Sequence, residues 1–140
     1  MKDMIPTINA PMTEDKARLT NPVVLAFVGD AVESLYVRSV LVDQSSAKAH
    51  QLHLESSRIV NATSQSRRMD KMLDVLSEDE LAVYRRAKNS KTHTSAKHAE
   101  LMDYKNATGL EAVYGYLYLI GATDRLAILL EYTYNDINRK

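Results

Sequence analysis

No cysteine occurs in the chain, so disulfides and thiolate metal sites are excluded, which is compatible with a reducing compartment. Glycine and proline are scarce, four and three in 140 residues, and with 45% hydrophobic residues this argues for a compact globular chain rather than a disordered one. No stretch approaches the ~18 apolar residues of a membrane span. The first 20 residues, with Lys2, Asp3, Pro6 and Pro11, hold no apolar run that would make a signal peptide. The chain is therefore predicted to be soluble and cytoplasmic, with no membrane contact. Net charge is also missing, because 18 Lys and Arg balance 18 Asp and Glu. Any nucleic-acid binding must then come from a local patch. There is no Asn-Gly or Asp-Gly hairpin turn, no sustained alternation, no repeat and no low-complexity tract, so strands are not expected.

What is present reads as one all-α domain, long enough for a single core. Residues 1–20 read as an irregular N-terminal arm, 21–135 as the folded domain and 136–140 as a C-terminal tail. Helices are predicted over about 21–42, then 46–75 with a bend near 61–64, then about 77–89, 98–120 and 123–135. Asn21 and Pro22 suit an N-cap and first helical position. Ser77 and Glu80 form a capping box, Gly121 ends a helix and Thr123-Asp124 caps the last one. Expected core contacts include Leu52, Ile59, Val60, Leu81, Val83 and Tyr84, with Leu126, Leu129, Leu130 and Tyr134 on one face of the last helix.

Two carboxylates stand out. The helix from Asn21 to Val37 carries apolar residues on nearly every side and is expected to be buried around most of its circumference. In its middle sits Gly29-Asp30, although glycine costs about 1 kcal/mol in a helix interior and a buried carboxylate is costly unless paired. No Lys or Arg lies three or four residues away. Glu111 repeats the pattern in Thr108-Gly109-Leu110-Glu111-Ala112-Val113-Tyr114-Gly115. Two such carboxylates on two helices can share a hard divalent cation such as Mg²⁺, which takes oxygen ligands and keeps several waters. They can equally be unrelated, each solvated at a partly exposed spot. The glycines can serve close helix–helix contact under either reading.

A third feature is the segment from Tyr84 to His98, which contains Arg85, Arg86, Lys88, Lys91 and Lys97, two histidines and no acid. It is either a phosphate-binding surface or a solvated charged face, and its Ser and Thr hydroxyls favour phosphate. Arg67, Arg68 and Lys71 are a second basic group. His50 and His53, one turn apart, lack a third strong ligand and read as structural or solvated. Tyr114, Tyr116 and Tyr118 cannot share one helix face and suit core and subunit contacts.

Leu25-Ala26-Phe27-Val28-Gly29-Asp30-Ala31-Val32 resembles the signature helix of the ribonuclease III catalytic domain, and Leu110 to Leu119 resembles its second acidic motif. Tyr84-Arg85-Arg86-Ala87-Lys88-Asn89-Ser90-Lys91 is similar to a segment of the short Mini-III subfamily, which lacks the double-stranded-RNA-binding domain. The resemblance covers about residues 18–132. It implies a helical bundle of the ribonuclease III endonuclease-domain type, forming a homodimer that cuts both strands of double-stranded RNA with Mg²⁺ and leaves 5′-phosphate and 3′-hydroxyl ends. It implies Asp30 and Glu111 as the catalytic, metal-binding residues, with Arg85, Arg86, Lys88, Lys91 and Lys97 on RNA phosphates. Bacterial Mini-III enzymes mature the ends of 23S ribosomal RNA precursor with help from a large-subunit ribosomal protein, and the same role is expected here. The chain departs from the family at Val23, Ala26 and Thr108, where the classical enzymes carry further acids. It also has Ser34 where the subfamily has glutamate, with Glu33 one position earlier. Those departures support the alternatives of a catalytically inactive RNA-binding helical dimer and of a purely structural dimer.

Overall fold

The computed structural model describes residues 10–91 and 98–137, and these residues form seven helices and no strand. They are α1 (Glu14–Leu19), α2 (Pro22–Gln44), α3 (Ala49–Ile59), α4 (Ala62–Met72), α5 (Glu78–Lys88), α6 (His98–Leu119) and α7 (Thr123–Thr133). The fold is all-α, as the sequence indicated. Local chemistry sets most helix ends. Asn21 caps α2 by accepting from the Val23 N–H at 2.8 Å, with Pro22 at the first helical position. Ser77 and Glu80 make the full capping box on α5. Gly121, at φ +76°, ends α6. There the Ala122 N–H reaches the Leu117 carbonyl and the Gly121 N–H the Tyr118 carbonyl, the paired bonds of a Schellman turn.

Several expectations change. The arm before residue 21 is not wholly irregular: Thr13 caps the six-residue α1, and Ala17 buries completely. The helix expected over 46–75 is two, because Asn61 leaves the helical conformation and caps α4 by accepting from the Ser64 N–H at 3.0 Å. The Thr123 side chain does not cap α7, whose N-cap is Ala122 without a side-chain bond. Finally, α2 is not buried all round. Val23, Val24, Leu35, Val42 and Asp30 are exposed, and Phe27 is 79% exposed.

α6 is the centre of the bundle, touched by α1, α2, α4, α5 and α7, while α3 lies on α2 and α4. Its inner surface supplies Leu110, Ala112, Val113, Tyr114, Tyr116 and Leu117 to the core. Two glycines bring α2 and α6 into backbone contact. A Cβ on Gly29 would stand 1.6 Å from the Glu111 carbonyl oxygen, and one on Gly115 would stand 1.9 Å from that of Leu25. Only glycine permits that approach. Polar ties then fix the outer helices. Arg125 chelates Glu80 from α7 with Nε at 2.9 Å and also donates to the Val75 carbonyl, so the α5 cap is anchored to α7. Burial alone would raise Glu80, but Arg125 and the Ser77 bonds hold its carboxyl below the usual range. Arg68, expected in a surface patch, is buried instead: it pairs with Asp136, donates to the Thr133 carbonyl at 3.1 Å and stacks on Tyr134.

Candidate active site

The glycine crossing decides where the two carboxylates go. Asp30 follows Gly29 on α2, and Glu111 precedes Gly115 by one turn on α6, on the same ridge of that helix. Asp30 comes within hydrogen-bonding reach of the half-buried Glu111 carboxyl. Burial, the charge of Glu33 and the approach of Asp30 together push Glu111 up to about 9. Without a cation there, the Glu111 carboxyl keeps its proton at neutral pH.

Behind this pair lies a third acid whose part the sequence did not reveal. Glu33 is completely buried, its Oε1 accepts from the Gln65 amide of α4, and its Oε2 has no hydrogen-bond partner. Burial pushes it up to about 7, against the pull of the Gln65 bond and of the nearby Tyr134 hydroxyl, which makes no hydrogen bond. A signal was available. Glu33 is four residues beyond Gly29, so once that glycine is read as a helix contact, Glu33 must face the neighbouring helix too. Thr108, where the family carries an acid, supplies nothing here, because its hydroxyl donates to the Tyr104 carbonyl at 2.9 Å.

Among the described residues, no group of three or more His, Cys, Asp or Glu side chains is arranged to hold a metal ion. Two adjacent carboxyls with one raised far above its usual range, beside an orphaned buried carboxyl oxygen, nevertheless suit a hard divalent cation. Such an ion uses one or two carboxylates and fills its other positions with water. Asp30 and Glu111 fit that donor set.

The basic segment lies on α5 and just beyond it. Tyr84, at its start, packs its ring on Gly109, two residues before Glu111, and its hydroxyl donates to Asn106 at 3.1 Å. Arg85 and Lys91 are exposed, and Lys88 Nζ sits 5.8 Å from the Tyr84 ring centre. Arg86 is committed elsewhere: it donates to the Arg18 and Thr20 carbonyls at the end of α1, where helix carbonyls lack internal partners. Lys97 lies outside the described residues. His50 and His53 are exposed on α3.

The Ribonuclease III domain pattern matches residues 23–121, most of the chain and both carboxylates. The chain belongs to the ribonuclease III family. By that membership it is an endoribonuclease. Mini-ribonuclease 3 of Thermoanaerobacter sp. is 42% identical over 120 residues, covering 86% of this chain and 84% of that protein. Mini-ribonuclease 3 of Brevibacillus brevis is 43% identical over 113 residues, covering 81% and 84%. The crystal structure of a Fusobacterium nucleatum protein superposes with a TM-score of 0.73 at 31% identity, over 85% of this chain and 95% of that one. No described helix is long and apolar enough to cross a membrane.

Proposed function

We propose that this ribonuclease III domain cuts both strands of double-stranded RNA, using Mg²⁺ held by Asp30 and Glu111, and matures the ends of 23S ribosomal RNA precursor in the cytoplasm with a large-subunit ribosomal protein. The observation that carries the reading is the α2–α6 glycine contact, which sets the exposed Asp30 carboxylate beside the half-buried Glu111. When bound, Mg²⁺ supplies a Lewis acid that lowers the pKa of water and offsets charge on the phosphate being cut. Asp30, the exposed member, faces solvent and the substrate, while Glu111, half-buried, is held in place by the backbone contact at Gly29. The cut leaves a 5′-phosphate and a 3′-hydroxyl. Arg85, Lys88, Lys91 and Lys97 grip backbone phosphates, and Arg86 holds α5 against α1 beside them. Such contacts read the A-form shape of duplex RNA, not its bases.

Residues 21–135 form the catalytic unit, preceded by the 1–20 arm and followed by the 136–140 tail. The unit pairs through the exposed apolar stripe of α2, where Val23, Val24 and Phe27 continue from Leu19, itself 85% exposed. A twofold pair places one carboxylate site against each strand. Phe27→Glu is expected to shift the protein from dimer to monomer by size-exclusion chromatography with light scattering. A dimer that survives this change would place the interface elsewhere.

The purified protein is expected to cut a long RNA duplex in Mg²⁺ and not in EDTA, and to leave the same strands uncut when unpaired. Binding without cutting would favour the inactive RNA-binding dimer that the losses at Val23, Ala26 and Thr108 suggest.

A further inference from the structure

Beyond Asp30, α2 presents Ser34 and Arg38 at successive four-residue steps, so the three side chains share one face of the helix. α3 lies against α2 and adds Ser56, Ser57 and Val60, and together they line a hollow of about 110 Å³. That is the volume of roughly three to four water molecules. A small polar group fits, and a base pair does not.

The hollow has a polarity. Asp30 stands at one end and Arg38 at the other, two helical turns along. Arg38 also borders the neighbouring hollow formed with Leu41, Leu52 and His53, so it stands where the two meet. Arg38 makes no hydrogen bond or ion pair among the described residues, unlike Arg18, Arg68, Arg86 and Arg125. The Ser34 and Ser57 hydroxyls are likewise without a protein partner there, whereas Ser56 Oγ donates to the His53 carbonyl at 3.0 Å. Three donors without a protein partner therefore border one small space, whose lining holds one carboxylate, at the far end. A ligand rich in acceptors and carrying negative charge matches that end of the hollow, and Arg and Ser are both donors to phosphate oxygens.

We propose that the hollow holds the RNA backbone phosphate adjoining the one that is cut, on the same strand, with Arg38, Ser34 and Ser57 as its donors. This rests on the reading of Asp30 and Glu111 as the cutting site. The contact fixes the strand's register over Asp30, from a position on the scaffold helix rather than on the α5 surface that meets the rest of the duplex.

The test measures binding of a short RNA duplex with a mapped cleavage position, in EDTA, across a range of salt. Arg38→Ala is expected to weaken binding about tenfold, the low end for a charge-assisted hydrogen bond, and to lower the slope of log affinity against log salt by about one. Arg38→Lys should recover most of the slope. An unchanged melting temperature checks that the exposed Arg38 can be replaced without unfolding. A duplex carrying one uncharged methylphosphonate at the adjoining position, beside a 2′-O-methyl ribose, should bind wild type and Arg38→Ala alike. If Arg38→Ala keeps the wild-type affinity and slope, or loses as much on the methylphosphonate duplex, the assignment is wrong while the cutting site stands. If the wild type neither binds nor cuts duplex RNA, the cutting site fails and the assignment with it.

Discussion

Replacing Gly29 with alanine is expected to destabilise the protein by about 3 kcal/mol or more, at the upper end for overpacking, and to lower its melting temperature by roughly 10 °C. Two effects compete. Alanine is the better helix former by about 1 kcal/mol, which acts to stabilise α2. Against this, the added Cβ would lie 1.6 Å from the Glu111 carbonyl oxygen, 2.6 Å from its carbon and 2.9 Å from the Gly115 nitrogen. All three obstacles are backbone and cannot swing aside, so the helices must separate and the steric cost wins. Gly115→Ala meets the Leu25 carbonyl at 1.9 Å and should behave alike. Gly109→Ala is the comparison, because its Cβ meets the Tyr84 ring at 2.4 Å and backbone only at 3.1 Å, so a side chain rather than a helix backbone must give. It should cost less. Separation at Gly29 also pulls Glu111 away from Asp30, so whatever folded protein remains should cut poorly. Thermal melts of the three variants check the order, and a Gly29→Ala protein as stable as wild type would contradict the backbone contact.

Glu33→Gln is expected to stabilise the metal-free protein at neutral and alkaline pH. Burial raises the carboxyl from 4.5 to about 7. Between those values the folded chain keeps a proton that the unfolded chain has released, so wild-type stability falls as pH rises through the window. Above about 7 the loss is complete. At ~1.4 kcal/mol per pH unit it amounts to about 3 kcal/mol. Glutamine has the same shape, accepts from Gln65 and carries no charge to bury, so this part of the fall should vanish, while the part due to Glu111, raised to about 9, remains in both proteins. Asp136, held low chiefly by its bond to Arg68, and Glu80 act in the opposite sense, through stability lost as pH drops below the ordinary carboxylate range. Urea melts of both proteins from pH 5 to 8 separate the two contributions. Parallel curves would show that Glu33 is ionised throughout.

The parts of this fold that sequence made legible are those written in local chemistry. The Asn21-Pro22 start, the Ser77–Glu80 box and the stop at Gly121 each need only a few neighbouring residues, and each forms as expected. What the sequence concealed depends on which faces meet. An α2 apolar on nearly every side suggested burial around most of its circumference, yet composition cannot say that α6 takes the Gly29 face and leaves Phe27 bare. Arg68 looked like one more surface cation because Asp136 and Tyr134, its counter-charge and its stacking surface, lie more than 60 residues away. The carboxylates themselves were legible as anomalies, each being an acid beside glycine. Their adjacency was not, since no spacing within one helix reports a contact between two. The complete burial of Glu33 was hidden for the same reason, although its four-residue step from Gly29 marked the face it shares.

The most direct measurement is single-turnover cutting of a defined RNA duplex over a Mg²⁺ titration, comparing wild type with Glu111→Gln and Asp30→Asn. Both substitutions keep side-chain size and remove one charge from the pair. If the α2–α6 contact builds one cation site that cuts RNA, each variant should lose several kcal/mol of transition-state stabilisation, on the order of 100-fold in rate or more. Duplex binding in EDTA should be retained, and added Mg²⁺ should recover only part of the rate. A Glu111→Gln protein that cuts at the wild-type rate at the same Mg²⁺ concentration would contradict the account, because the half-buried carboxylate would then have no part in the chemistry.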